Sequence, residues 1–308
     1  MKEKEFLQTI KNTLNSKYIG DDCAYLKDLG IVVSQDSLVE DIHFKLSYTT
    51  PFQLGYKSVM VNISDICASG AKPAYLTISL SLPKNIDINF VKDFYEGAKM
   101  AAQNVEIVGG DITGSEKIYI SVSAIGSTKN RRISSRSNAK IGQKIIVSGA
   151  HGSSAAGLKL LLDGKKEPQT LVNAHLMPKA QICFSKQIAE NVKTNYAMMD
   201  TSDGLMDALS QIANSSNVVM SVDFDKIPYN REIKIFDDWQ DLIFYGGEDY
   251  QLVATVDENL LKKLHGYTII GEVQKPEKEI GIKINYIARN EFLTLKQIEN
   301  KLYNHFKE

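Results

Sequence analysis

Thr50-Pro51-Phe52-Gln53-Leu54-Gly55-Tyr56-Lys57-Ser58-Val59-Met60-Val61-Asn62-Ile63-Ser64-Asp65-Ile66-Cys67-Ala68-Ser69-Gly70 is the strongest helix signal in the chain. Thr50 suits an N-cap, Pro51 fits the first helical position, and Gly70 is a natural stop before Pro73. Asp65 falls in the last turns, where the negative end of the helix dipole disfavours a carboxylate by a few tenths to about 1 kcal/mol. A bound cation reverses that sign. Asn62 and Asp65 are three residues apart and share a helix face that can be turned toward such a cation.

On either side of this helix the pattern changes from period 3.6 to period 2. Residues 31–34 read as a short buried strand that ends at Gln35-Asp36, so a site-like side chain emerges at its end. Residues 74–82 alternate like a strand and 88–103 like an amphipathic helix. Residues 105–108 form a second strand delivering Gly109-Gly110-Asp111, and 119–125 a further one. The basic, serine-rich stretch 128–140 has no apolar period and is the best place for a domain boundary, set near Asn138. Beyond it, 144–148, 218–222, 250–256 and 267–270 read as strands, and 153–162, 203–213 and 258–264 as helices. The expectation is an α+β protein of two domains, 1–137 and 138–308.

A length of 308 residues also favours two cores. Hydrophobic content of 43% and charged content of 24% are those of an ordinary globular protein. A net charge of -1 supplies no general field for nucleic acid, although Arg131, Arg132 and Arg136 form a local basic patch. Cys23, Cys67 and Cys183 are scattered and odd in number, which argues against a disulfide framework and for a cytoplasmic location. Residues 1–11 are charged and helix-like, without a signal-peptide core. No later apolar run is long enough to span a bilayer.

The chemistry is carried by short acidic or glycine-containing stretches: Gly20-Asp21-Asp22, Ser34-Gln35-Asp36, Asn62-Ile63-Ser64-Asp65, Gly109-Gly110-Asp111, Asp200-Thr201-Ser202-Asp203-Gly204 and Gly246-Gly247-Glu248-Asp249. Asp22, Asp36, Asp65, Asp111 and Asp200 each end an apolar segment or sit beside glycine. An isolated aspartate at a turn usually bonds its own backbone. Several gathered together repel one another unless a cation neutralises them, and magnesium shares such oxygens with substrate phosphates. The pattern reads as a magnesium nucleotide enzyme. Gly149-Ala150-His151-Gly152 before Ser153-Ser154 is either a structural strand-to-helix turn or a phosphate cradle, and it lacks the Lys-Ser/Thr ending of a P-loop.

Taken in order, Ile19-Gly20-Asp21-Asp22-Cys23-Ala24, residues 34–44, residues 55–66, Val108-Gly109-Gly110-Asp111-Ile112-Thr113, Asp200-Thr201-Ser202-Asp203-Gly204-Leu205 and Gly246-Gly247-Glu248-Asp249-Tyr250-Gln251-Leu252 closely resemble the thiamine-monophosphate kinase family. The resemblance covers essentially the whole chain. It implies an N-terminal α/β domain that forms a homodimer, with a mixed sheet, and a sandwich-like C-terminal α/β domain. It also implies transfer of the ATP γ-phosphoryl group to thiamine monophosphate, giving thiamine diphosphate.

Carried over residue by residue, the resemblance places Asp22, Ser34, Gln35, Asp36, Asp65, Asp111, Asp200 and Asp203 on magnesium. Gln35 stands where the family usually has threonine, which is harmless if that position binds through its backbone carbonyl. Tyr95, Gly110, Asp111, Arg136 and Ser202 match ATP contacts, and His43 and Glu248 match thiamine-phosphate contacts. Tyr303, in Leu302-Tyr303-Asn304-His305-Phe306, resembles the family's closing aromatic contact. The competing readings are a sibling ATP-dependent ligase on the same scaffold and a non-catalytic magnesium-nucleotide sensor.

Overall fold

The structure is a computed structural model that describes residues 2–286 and 290–302, the side chains of residues 2–4 excepted. The first half runs α1 (Lys2–Leu14), β1 (Ala24–Leu26), β2 (Ile31–Val39), α2 (Pro51–Ala68), β3 (Lys72–Leu82), α3 (Ile88–Ala102), β4 (Glu106–Gly114) and β5 (Tyr119–Ser127). Its sheet has the order β1-β2-β5-β3-β4, antiparallel except for the β3–β4 pair.

The second half contains β6 (Lys144–Val147), α4 (Ser153–Leu162), α5 (Gln169–Leu176), α6 (Ile182–Asn191), β7 (Ala197–Asp200), α7 (Leu205–Ser216) and β8 (Val219–Asp223). It continues with α8 (Trp239–Tyr245), β9 (Leu252–Val256), α9 (Glu258–Leu261), β10 (Thr268–Gln274), β11 (Gly281–Asn285), β12 (Asn290–Thr294) and α10 (Leu295–Glu299). A seven-stranded sheet, β12-β11-β8-β10-β6-β9-β7, organises this half. Two mixed sheets with helices between and around them agree with the expected α+β class.

The helix α2 is the hub. Thr50 and Gln53 form a reciprocal capping box at its start, and Pro51 occupies the first turn. From Leu54 to Ala68 every residue except Asp65 is buried, because α2 packs on the five-stranded sheet and also against β7, α5 and α6. One apolar core therefore runs from Val32, Ile63, Ile78 and Ile120 into Ile146, Met198, Leu252 and Ala254. A Cβ on Gly55 would lie 1.9 Å from Phe94 O, and one on Gly97 would lie 1.9 Å from Phe52 O. Only glycine at both positions lets α2 and α3 approach so closely.

Residues 128–143 join the sheets, and within the basic run Arg131 and Arg136 are not left to solvent, whereas Arg132 is exposed. Arg131 pairs with Glu190 at 3.2 Å and donates to the Gly70 carbonyl just beyond α2. Ser134 Oγ donates to the Ala68 carbonyl and the Ser134 amide to Ser69 O. These bonds fasten the connection to the C-terminal end of α2, where Asp65 lies. Among the described residues, no helix is long and apolar enough to cross a membrane.

Candidate active site

Ser58, Asn62 and Ser64 are buried on α2 because each has work for its hydrogen-bonding groups. Asn62 Nδ2 donates to Ser58 O at 2.9 Å, while its Oδ1 accepts the Asp36 amide of β2 at 3.0 Å. Ser64 Oγ donates to Asp200 Oδ2 at 2.6 Å, linking α2 to the end of β7. Ser34 Oγ donates to Asp65 Oδ2. The amide and hydroxyl of Ser202 both donate to Asp200 Oδ1. Serines from three elements thus hold two aspartates in place.

Asp22 completes the group. Ligand oxygens of Asp22, Asp65 and Asp200 lie within 4.8 Å of one another. Burial pushes the Asp22 carboxyl up to about 6, with Arg136 opposing and Asp200 adding to the rise. Burial, then Asp36, Asp200 and Asp22, hold Asp65 well above the usual carboxylate range. Asp200 and Asp36 are also raised, burial first in each case. Three oxygen donors that disfavour their own ionisation fit a hard divalent cation, which removes both the repulsion and the dehydration penalty.

Arg136 closes one side. Its guanidinium donates to Asp22 Oδ1 at 3.0 Å and to Gln211 Oε1, and its amide donates to Asp21. Its buried Nε has no hydrogen-bond partner, so one donor of the fork remains for an anion.

Glu248 lies beside this centre. Its amide donates to Ser202 O at 2.7 Å, and its carboxylate meets Lys57 Nζ at 2.9 Å and His175 Nδ1 at 3.3 Å. Burial works against its charge, but Lys57, His175 and His43 outweigh it and hold the carboxyl below its usual range. His43 Nδ1 accepts the Val39 amide at 3.0 Å, which fixes the ring near Glu248.

The remaining sequence expectations divide. Asp203 is exposed in the turn before α7, next to the centre in sequence. Gln35 turns its side chain to the opposite face of β2 from Ser34 and Asp36, where Ser123 Oγ donates to it at 2.9 Å. Only its backbone carbonyl remains available at that strand position. Asp111 is exposed on the edge strand β4, paired with Ser79 in the row of Ser37 and Ser121. That row is on the outer face, and Asp111 lies three strands from β2, about 14 Å at the ordinary strand spacing. The chain by itself does not bring Asp111 to Asp22, Asp65 and Asp200. Gly110 pairs with Ile78, and a Cβ there would meet Ile78 O at 1.7 Å. Tyr95 packs edge to face with Phe94 at 5.4 Å at the margin of the first core. Tyr303 falls outside the described residues.

The turn Gly149–Gly152 holds a carboxylate from the chain itself. Asp249 accepts the amides of Gly152 and Ser154 at the start of α4, so the structural reading of this turn is the one realised. Sequence reasoning missed Lys57 and His175, since a lysine inside an apolar helix carries no motif.

His151 in the same turn is fully buried, with neither ring nitrogen hydrogen-bonded, and burial pulls its pKa down to about 3. A depressed folded pKa means stability that is present above pH 6.5 and lost as pH falls toward 3. His151→Leu is therefore expected to raise stability at pH 8 and to add about 2 kcal/mol more at pH 5. Denaturant midpoints at the two pH values check this, and equal gains at both would refute the linkage.

Residues 20–128 match the AIR synthase related protein N-terminal domain, and 140–283 match its C-terminal domain. The thiamine-monophosphate kinase of Aquifex aeolicus is 36% identical, across 97% of this chain and 96% of that protein. The chain belongs to the thiamine-monophosphate kinase family. Another thiamine-monophosphate kinase, that of Bacillus subtilis, is 33% identical with the same coverage. The solved structure of AaThiL complexed with AMPPCP and TMP matches with a TM-score of 0.83 at 36% identity, covering 91% of this chain and 92% of that one. The hydrogenase maturation protein HypE, solved with ATP, shares only the fold at 19% identity and a TM-score of 0.71.

Proposed function

We infer that this chain transfers the γ-phosphoryl group of ATP to the phosphate of thiamine monophosphate, giving thiamine diphosphate and ADP. The observation that carries the reading is the group of half-buried Asp22 and Asp65 with buried Asp200, and Glu248 beside it, in a chain of this family. Asp22, Asp36, Asp65 and Asp200 would hold magnesium, with Ser34, the Gln35 carbonyl and Asp203 completing its surroundings; Asp111, on the outer face of β4, would join them only from the second copy of a homodimer. Magnesium, when bound, neutralises polyphosphate charge and orients it for in-line attack.

The chain's own groups do the rest. Ser34, Ser64 and Ser202 fix the carboxylates, so little reorganisation is left for the reaction. Arg136 holds Asp22 and keeps Nε for a phosphate oxygen, while Tyr95, Gly110 and Ser202 belong to the ATP contacts. His43 and Glu248 take the thiamine phosphate, with Tyr303 as an aromatic contact. The acceptor phosphate, with a second pKa of about 6, is already anionic near neutrality and needs no strong base. Transfer is direct, without a phosphoenzyme.

This reading includes domains 1–137 and 138–308, a cytoplasmic location and a homodimer through the first half. The exposed Tyr75 and Tyr119 on the outer face of the five-stranded sheet support the homodimer. The test is incubation with ATP, magnesium and thiamine monophosphate, with free thiamine as the control acceptor. Thiamine diphosphate from the monophosphate alone is expected. ATP binding without acceptor-dependent ADP release would instead make the protein a nucleotide sensor.

A further inference from the structure

Lys57 sits on α2 about two turns before Asp65, 2% exposed, in the middle of the shared core. A buried ammonium is costly unless it is paired, and breaking such a pair leaves an uncompensated charge. Its ion partner is Glu248 Oε1 at 2.9 Å, across the junction of the two halves, and the ammonium makes no well-aligned hydrogen bond. The other oxygen, Oε2, faces His175 Nδ1 at 3.3 Å, and His175 in turn contacts Ser154 Oγ at 3.2 Å. His175 is neutral, its pKa pulled down to about 3 by burial and by Lys57.

The exposures of the three side chains give this network a direction. Lys57 and His175 are each 2% exposed, whereas Glu248 is 27% exposed. The two holders are inside and the carboxylate is the group presented outward. Its backbone is also constrained: Glu248 has φ +64, a left-handed conformation that a non-glycine residue adopts at a cost. Its amide is tied to Ser202 O, two residues from Asp200. Tyr48 lies edge-on to His175 at 6.3 Å, so a ring flanks the same spot.

We propose that Lys57 and His175 are positioning residues that grip the two oxygens of Glu248 and present its carboxylate, ionised and fixed in direction, to a cationic, amine-bearing heteroaromatic substrate. This rests on Glu248 being a thiamine-phosphate contact. Neither holder touches substrate; both set substrate affinity through Glu248. A purely structural ion pair would affect folding and leave discrimination between the two substrates alone.

The test is steady-state kinetics on the full-length protein with Lys57→Met, His175→Phe, Glu248→Gln and the Lys57→Met/Glu248→Gln double variant. Lys57→Met is expected to raise the KM for thiamine monophosphate about 30-fold and His175→Phe about 5-fold, with the KM for ATP within about 2-fold of wild type. In the Glu248→Gln background, Lys57→Met should add no more than about 3-fold, because its route of action is gone. If Lys57→Met fails to fold, His175→Phe carries the test. A Glu248→Gln enzyme with unchanged KM removes the reading beneath the proposal. A raised KM in Glu248→Gln beside wild-type values in both holder variants overturns the proposal itself, as does full additivity in the double variant.

Discussion

Asp65→Asn is expected to lower kcat for thiamine diphosphate formation by about 10²- to 10³-fold at saturating magnesium, with the fold retained. Asparagine is nearly isosteric and can still accept the hydroxyl of Ser34 through its amide oxygen. What it loses is the charge that a cation and a transferring phosphoryl group require. Asp65 is also the carboxylate pushed well above its usual range by burial and by three acidic neighbours in the last turns of α2. Removing that charge relieves repulsion, so the metal-free variant should melt no lower than wild type in chelator. Turnover and thermal melting on the same preparation separate the two effects. Near-normal kcat in the folded variant would remove Asp65 from the machinery, and a collapse in melting temperature would mean that its role is mainly structural.

Much of this arrangement is legible in the sequence, and what is missed has physical causes. The helix α2 announces itself through Thr50, Gln53 and Pro51, because capping is a local interaction. Asp22, Asp65 and Asp200 are recognisable because each ends an apolar segment or lies in a short glycine-containing acidic stretch. Asp111 is different. The β3–β4 register shifts between Leu76 and Thr77, so the alternation that would assign its face is interrupted just before Gly109-Gly110. Asp249 stands beside Glu248 in one motif, yet it turns away to cap α4, since a buried carboxylate goes where amides are available. The helices α5, α6 and α8 are only 8, 10 and 7 residues long and are fixed by packing, so their periodicity is too short to read. Lys57 and His175 acquire meaning only once the two halves are docked.

Magnesium is expected to stabilise the protein against heat far more at pH 8 than at pH 5. In the metal-free protein Asp22 keeps its proton to about pH 6, whereas the unfolded chain releases it near 3.8. An acid whose folded pKa is raised makes stability fall as pH climbs through that window. For Asp22 the loss reaches about 3 kcal/mol above pH 6, and Asp65, Asp200 and Asp36 act in the same direction. His151 and His175 act oppositely, because their folded pKa values of about 3 make stability rise toward pH 6.5. A plain pH profile of melting mixes the two signs.

The increment caused by magnesium does not mix them, because neither histidine belongs to the carboxylate group, and their contributions cancel between the two samples. At pH 5 a cation must displace protons before it can bind; at pH 8 it meets ionised carboxylates whose repulsion it removes. At roughly 2 °C per kcal/mol for a chain of this size, the increment should be at least about 5 °C larger at pH 8. Paired melts with magnesium and with chelator at both pH values measure it. Equal increments would mean that the carboxylates ionise as freely in the fold as in water. No increment at either pH, with Asp65→Asn behaving like wild type, would take the cation away from this cluster altogether.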